Sequence, residues 1–197
     1  MNSRLYRVLH VVFRPLLALM YPTKVEGKEN IPAEAAVLCA NHSHWVDPVL
    51  IAFALPGNYG LRIMGKKQLF ENPLAAGFLR RIGVFPVDRG NSDITAVKTA
   101  IRALKEGNGL LIFPEGTRVD DPETASHKGG AAMIAIRSEV NMVPVFVSRG
   151  KKAFHRAEVI FGEAYVPQYE SRKGTAEEYQ RNADEIMHRV YELGGEE

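Results

Sequence analysis

Ala36-Val-Leu-Cys-Ala-Asn-His-Ser-His-Trp-Val-Asp47-Pro48 is the stretch that decides the fold. Its first five residues are apolar, too few for a helix, and read as a buried strand. Asn41 to Val46 then read as a loop. Asp47 before Pro48 reads as a helix start, with the aspartate as cap and the proline in the first turn. A strand that breaks through a loop into a helix is one half of a strand–helix–strand unit, and the pattern continues on both sides. Further strands are expected at 61–64, 84–87, 110–113, 143–147 and 158–161, and helices at 48–55, 73–81, 93–106, 129–138 and 175–192. Ser92 is the expected cap of the helix at 93–106, and Gly107 its stop. Alternation of this kind indicates an α/β fold, a largely parallel sheet flanked by helices. Ligands in such sheets bind beyond the carboxyl ends of the strands, so the residues after each strand carry the functional argument.

Three of these strand ends bear chemistry. After the first, His42 and Asp47 lie five apart and would point about 140° away from each other on a continuous helix. A His–Asp pair therefore requires His42 on the loop and Asp47 at the helix start. There the carboxylate accepts from one imidazole nitrogen and the other is left to take a proton. The alternative is a capping aspartate beside a loop histidine. His44 is a second candidate base. Two histidines and one aspartate also raise a metal site, but no third histidine or cysteine ligand lies nearby, so no metal is expected. The second strand end is Gly83-Val-Phe-Pro-Val-Asp-Arg89, whose guanidinium suits phosphate; its alternative is a surface turn. The third, Phe113-Pro-Glu-Gly-Thr-Arg118, presents an acceptor, a hydroxyl and a cation together, with Gly116 allowing a tight turn.

The 197 residues fit one domain, and 25 basic against 23 acidic residues leave a net charge of +2. That balance argues against a nucleic-acid binder, which would carry a strongly basic face. The single cysteine, Cys39, reads as a small buried hydrophobe and excludes an internal disulfide.

Residues 3–21, SRLYRVLHVVFRPLLALMY, are apolar but interrupted by Arg7, His10 and Arg14, so they fall short of the ~20 apolar residues a spanning helix needs. On a helical wheel Leu5, Val8, Leu9, Val12, Phe13, Leu16, Leu17, Leu19 and Met20 fill one half. Arg4, Arg7, His10 and Arg14 gather opposite, with Val11 and Ala18. Such a helix lies in a membrane interface with its arginines toward phosphates; the alternative is a helix packed on its own domain. Pro15 is expected to kink or split it. Residues 68–82 either border an apolar groove, through Leu69, Phe70, Leu74, Phe78 and Leu79, or form a core helix with a basic end. Arg149, Lys151, Lys152 and Arg156 form either a basic patch for docking a carrier protein or a solvated loop, and read as the loop.

Taken together and in order, NHSHWVD at 41–47, GVFPVDR at 83–89, FPEGTR at 113–118 and VPVFVS at 143–148 resemble the glycerolipid acyltransferase family that includes the 1-acylglycerol-3-phosphate acyltransferases. The resemblance spans roughly residues 25–165, and only the ordered set is specific. It implies His42 as catalytic base and Asp47 as its orienting partner. It implies Gly83 and Arg89 as part of the acceptor site, and Glu115, Gly116, Thr117 and Arg118 as the segment that binds acceptor phosphate and glycerol. The segment around Val143 and Pro144 is similar to one linked to the acyl donor or to packing. Pro86-Val87 and Val119-Asp-Asp depart from the family's usual residues, which bears on acceptor identity more than on reaction type.

The implied reaction moves an acyl group from an acyl-CoA or acyl-ACP thioester to the hydroxyl of a lysophospholipid, without acyl-enzyme and without a cofactor. No G-x-S-x-G nucleophile elbow is present. The amides at the helix start are candidate oxyanion donors. The expected organisation is an interfacial helical segment at 1–24, with Leu5, Leu9, Val12, Phe13, Leu16 and Leu17 as its membrane residues, and an acyltransferase domain at 25–197. The expected location is the cytoplasmic face of the cell membrane, peripheral or monotopic. Competing readings are another lysolipid or glycerol 3-phosphate as acceptor, a non-catalytic lipid-binding protein, and a metal-dependent hydrolase.

Overall fold

The computed structural model describes residues 3–88, 93–119 and 126–195. In chain order the elements are α1 (Ser3–Met20), β1 (Thr23–Glu26), β2 (Val37–Ala40), α2 (Asp47–Ala54), β3 (Leu61–Lys66), α3 (Pro73–Arg81), β4 (Val84–Val87), α4 (Ile94–Lys105), β5 (Gly109–Ile112), α5 (Gly130–Ser138), β6 (Met142–Val147), β7 (Ala157–Phe161) and α6 (Ala176–Gly194). The strands form one seven-stranded sheet in the order β1-β7-β6-β2-β5-β3-β4. β2 pairs in parallel with both β5 and β6, and β3 with both β4 and β5. β7 runs antiparallel to β6 and carries β1 as a parallel neighbour at the sheet edge. The α/β fold with a largely parallel sheet is the one expected.

Alternation along β2 shows why this strand is apolar at every position. Successive side chains of a strand point to opposite faces. Val37 and Cys39 meet α4, α5 and α6 through Ala96, Ala100, Leu104, Ala132 and Ile186. Leu38 and Ala40 meet α2 and the end of α1 through Leu50, Ile51 and Tyr21. Both faces are covered, as a parallel sheet requires. Cys39 is fully buried, and burial pushes its thiol far above the range in which thiolate forms.

Several boundaries differ from expectation for local reasons. Asp93 caps α4 by accepting the amide of Ala96, so the expected cap at Ser92, which lies outside the described residues, is displaced by one position. α6 opens with a capping box in which Thr175 and Glu178 bond each other's amides. β1 was not expected: TKVE carries two charges and no apolar run, and its register comes from β7.

α1 continues through Pro15 as one helix. It rests on the domain by one stripe. His10 is buried, its Nε2 3.2 Å from the carbonyl oxygen of Leu55 and its ring stacked on Phe53 with centroids 5.0 Å apart. Leu17 packs into the core one heptad further on. Two expectations are therefore corrected. His10 is part of a domain contact rather than a phosphate-facing edge, and Leu17 faces inward rather than outward. Val8, Val11, Val12, Phe13, Leu16 and Leu19 remain exposed; the side chain of Leu5 lies outside the description. Among the described residues, no helix is long and apolar enough to cross a membrane.

α3 is a surface helix rather than a core helix. Only Ala76 is buried along it, while Leu74 and Phe78, with Leu69 just before it, are exposed.

Candidate active site

Strand order assembles the site. β5 and β6 flank β2, so the loops leaving their carboxyl ends meet about one strand spacing, ~4.8 Å, to either side of the loop after β2. Asn41 clamps the junction. Its amide nitrogen donates to the carbonyl of Val147 at 2.9 Å, and its oxygen accepts the amide of Val147 at 2.7 Å. The side chain thereby continues the β2–β6 ladder one residue past the strand, and the next residue, His42, starts from a fixed point.

His42 Nδ1 lies 3.0 Å from Asp47 Oδ2, and both side chains are buried. The imidazole stacks on Phe113, with ring centroids 4.3 Å apart. Its main chain is held from the β5 side. The amide of His42 donates to Glu115 Oε2 at 2.8 Å, and its carbonyl accepts the amide of Val119 at 2.8 Å. His42 is thus held from two different loops, and the segment 113–119 wraps the histidine.

Asp47 differs from expectation in a telling way. It starts α2 but does not cap it. Its Oδ2 accepts the amides of Ser43 at 2.8 Å and His44 at 2.7 Å, upstream in the loop, along with His42 Nδ1. Its Oδ1 pairs with Lys151 Nζ at 2.8 Å. Burial raises the pKa of this carboxyl, but the hydrogen bond to His42, the Lys151 ammonium and the His44 amide together hold it below the usual carboxylate range. Asp47 is therefore an anion, so Nδ1 of His42 carries the hydrogen and Nε2 is the basic nitrogen. The amides of Ser43 and His44 serve Asp47 and are not spare oxyanion donors. His44 does not share the carboxylate through its ring. Its Nδ1 accepts weakly from Val46, and its ring tilts against Tyr21 and Trp45.

Glu115 is buried rather than presented. Its Oε1 accepts from the Tyr191 hydroxyl of α6 at 3.0 Å, with the Arg149 guanidinium 3.9 Å away. Burial pushes its carboxyl up to about 7 against the bonds from His42 and Tyr191. Gly116 turns at φ +71° beside the Lys128 side chain, a backbone that L-residues rarely adopt, and sends Thr117 and Arg118 outward, both exposed. Arg149 donates to the carbonyl of Val119 and so ties the loop after β6 to the loop after β5.

Gly83 is not brought together with these. Gly83 lies before β4, at its amino end, with φ +97° in the turn from α3; β4 is three strands from β2. A parallel strand delivers its carboxyl end to the site, so Gly83 is on the opposite edge and serves chain reversal. Arg89 lies outside the described residues. Sequence reading gave no site role to Asn41, which fixes the junction before His42, or to Lys151 and Tyr191, which meet Asp47 and Glu115. The basic cluster at 149–156 was read as solvated, yet the Lys151 side chain is 1% exposed.

A largely parallel α/β sheet with a buried His–Asp pair where its central loops converge, and with an exposed hydroxyl and cation on the segment that wraps the histidine, fits an enzyme of the acyltransferase class. The chain belongs to the acyltransferase family, whose model, described as Acyltransferase, matches residues 22–148. It is 34% identical over 203 residues to a 1-acyl-sn-glycerol-3-phosphate acyltransferase of Bacillus subtilis, covering 96% of this chain and all of that protein. It is 39% identical over 113 residues to the same-named enzyme of Streptococcus pneumoniae, covering 57% of this chain and 41% of that protein. The crystal structure of the 1-acyl-sn-glycerophosphate (LPA) acyltransferase from Thermotoga maritima superposes with a TM-score of 0.71 at 26% identity, over 98% of this chain and 79% of that one.

Proposed function

We propose that the chain transfers a fatty acyl group from an acyl thioester to the free hydroxyl of 1-acylglycerol 3-phosphate, giving phosphatidic acid. The observation that carries this is the buried His42–Asp47 pair, with one imidazole nitrogen held by a carboxylate and the other left basic, in a chain that matches a relative bearing that name from end to end.

His42 Nε2 takes the proton of the acceptor hydroxyl as its oxygen attacks the thioester carbonyl. The C–S bond then breaks, and the proton passes to the departing thiolate. Asp47 fixes the tautomer and stabilises the transient imidazolium, the role a carboxylate plays in hydrolase triads. The substrate hydroxyl stands where a hydrolase has its serine, so no acyl-enzyme forms. Arg118 and Thr117, exposed beside Gly116, receive the acceptor's phosphate and glycerol. Arg89 is assigned to the same acceptor. Glu115 acts from beneath, by holding the main chain of His42.

Residues 1–24 act as the interfacial segment and 25–197 as the transferase domain. The exposed face of α1, with Val8, Val12, Phe13 and Leu16, seats the enzyme peripherally on the cytoplasmic face of the membrane, where acceptor and product reside. Acyl-CoA and acyl-ACP are both chemically competent donors.

The test is product analysis. Purified protein is given 1-acylglycerol 3-phosphate with acyl-CoA or acyl-ACP, and in parallel glycerol 3-phosphate or a lysophospholipid with a larger headgroup. Phosphatidic acid from the first acceptor alone is expected; acylation of glycerol 3-phosphate instead would reassign the substrate.

A further inference from the structure

Lys151 lies beyond the end of β6, past a turn at Gly150, and its side chain folds back under the site instead of reaching solvent. Its ammonium meets three acceptors: Asp47 Oδ1 at 2.8 Å, Ser43 Oγ at 3.2 Å, and the carbonyl of Ser148. Both members of the pair are removed from water, the Lys151 side chain at 1% and that of Asp47 at 0% exposed. Arg149, two residues earlier, is directed to Glu115 and Val119 instead. Two neighbouring cations thus serve two different carboxylates of one site.

We propose that Lys151 is a positioning residue for the His42–Asp47 pair, supplying the buried cation that keeps Asp47 charged and turned toward His42. This rests on the proposed reading of that pair as base and partner. A buried carboxylate without a counter-charge tends to protonate. A protonated Asp47 no longer holds Nδ1 as a donor, and the basic nitrogen is lost. The three contacts on Oδ2 orient the carboxylate, while Lys151 on Oδ1 keeps it ionised and stops it rotating. The other charged or titratable groups facing the pair are His44 from the same loop, Glu115 from the loop after β5, Arg149 beside Lys151, and Tyr191 from α6, the last two acting through Glu115.

The experiment compares Lys151→Met, Lys151→Arg, Asp47→Asn and the double variant Lys151→Met/Asp47→Asn in the full-length protein, assayed for acyl transfer to 1-acylglycerol 3-phosphate from pH 5.5 to pH 9.5. Lys151→Met is expected to lower kcat by about tenfold or more at pH 7, with both KM values within about twofold. Removing the cation favours proton uptake by the pair, so the acid limb of its pH–rate profile moves up by about one pH unit. Lys151→Arg keeps the limb near its original place. In the Asp47→Asn background Lys151→Met adds less than about a further twofold, because the two act as one unit. Lys151→Gln carries the same expectations if the methionine variant does not fold.

A loss of rate with an unmoved limb would make Lys151 a scaffold residue only. A raised acceptor KM with unchanged kcat would make it a substrate contact. Either result overturns the inference while leaving the His–Asp reading intact. If Asp47→Asn retained more than about a tenth of the wild-type rate, the reading beneath it would fail as well.

Discussion

Glu115 Oε2 accepts the backbone amide of His42 at 2.8 Å, so the segment Phe113–Arg118 holds the main chain of His42 in place. The other oxygen of the same carboxyl takes the Tyr191 hydroxyl at 3.0 Å, which carries the connection into α6.

That carboxyl has a pH signature. Burial raises Glu115 from 4.5 to about 7, so between those values the folded protein binds a proton that the unfolded chain has released. Stability from this group is therefore fully present below pH 4.5 and is lost as pH rises through about 7. Melting temperature, followed from pH 4.5 to pH 8, should show this downward component in wild type and lose it in Glu115→Gln. Equal slopes in the two proteins would contradict the assignment.

Tyr191→Phe removes only the hydroxyl that bonds Glu115. A net cost of about 1 kcal/mol is expected, which for a chain of this size is a fall of about 2–4 °C in Tm. Differential scanning calorimetry reads it directly. An unchanged Tm together with unchanged kcat would show that α6 does not brace the site.

Arg118 is exposed beside the Gly116 turn, and its removal opens no hole in the core. Arg118→Ala should raise the acceptor KM by about tenfold or more, the value of a lost charge-assisted contact, and leave Tm unchanged. An unchanged acceptor KM would undo its assignment to the phosphate.

Deleting α1 is a poor test of membrane binding, because His10 and Leu17 pack on the domain and their loss uncovers the core around Leu55. Val12→Asp/Leu16→Asp is the cleaner variant, since both side chains are already in water. Partition onto anionic phospholipid vesicles, read by co-sedimentation, should fall by about tenfold or more with Tm unchanged, as expected from losing two buried aliphatic side chains. Undiminished binding would place the anchor elsewhere.

Much of the fold was legible because β2, β5 and β6 are buried on both faces and so appear as short apolar runs, whereas β1, an edge strand written TKVE, carries no such signal. His42 and Asp47 were legible because loop and helix start are local features. Lys151 was not: it lies 108 residues from Ser43, and only the adjacency of β6 to β2 brings the two together. Spacing within one segment cannot report strand order, so the residues that reach the site from across the sheet stayed hidden. Gly83 shows the converse: it precedes β4, and a parallel strand keeps its amino end away from the end at which the loops after β2, β5 and β6 meet, which closeness in sequence cannot report.

The central claim is that His42 is the base, and the most direct measurement is phosphatidic acid formed by wild type and by His42→Ala. Each is given 1-acylglycerol 3-phosphate in micelles with an acyl thioester, and product is quantified by mass spectrometry. A general base contributes about 10²–10⁴-fold in rate, so product from wild type and a loss of at least that lower bound in a folded His42→Ala protein is the predicted result. Retention of more than about a tenth of the wild-type rate by His42→Ala would contradict it.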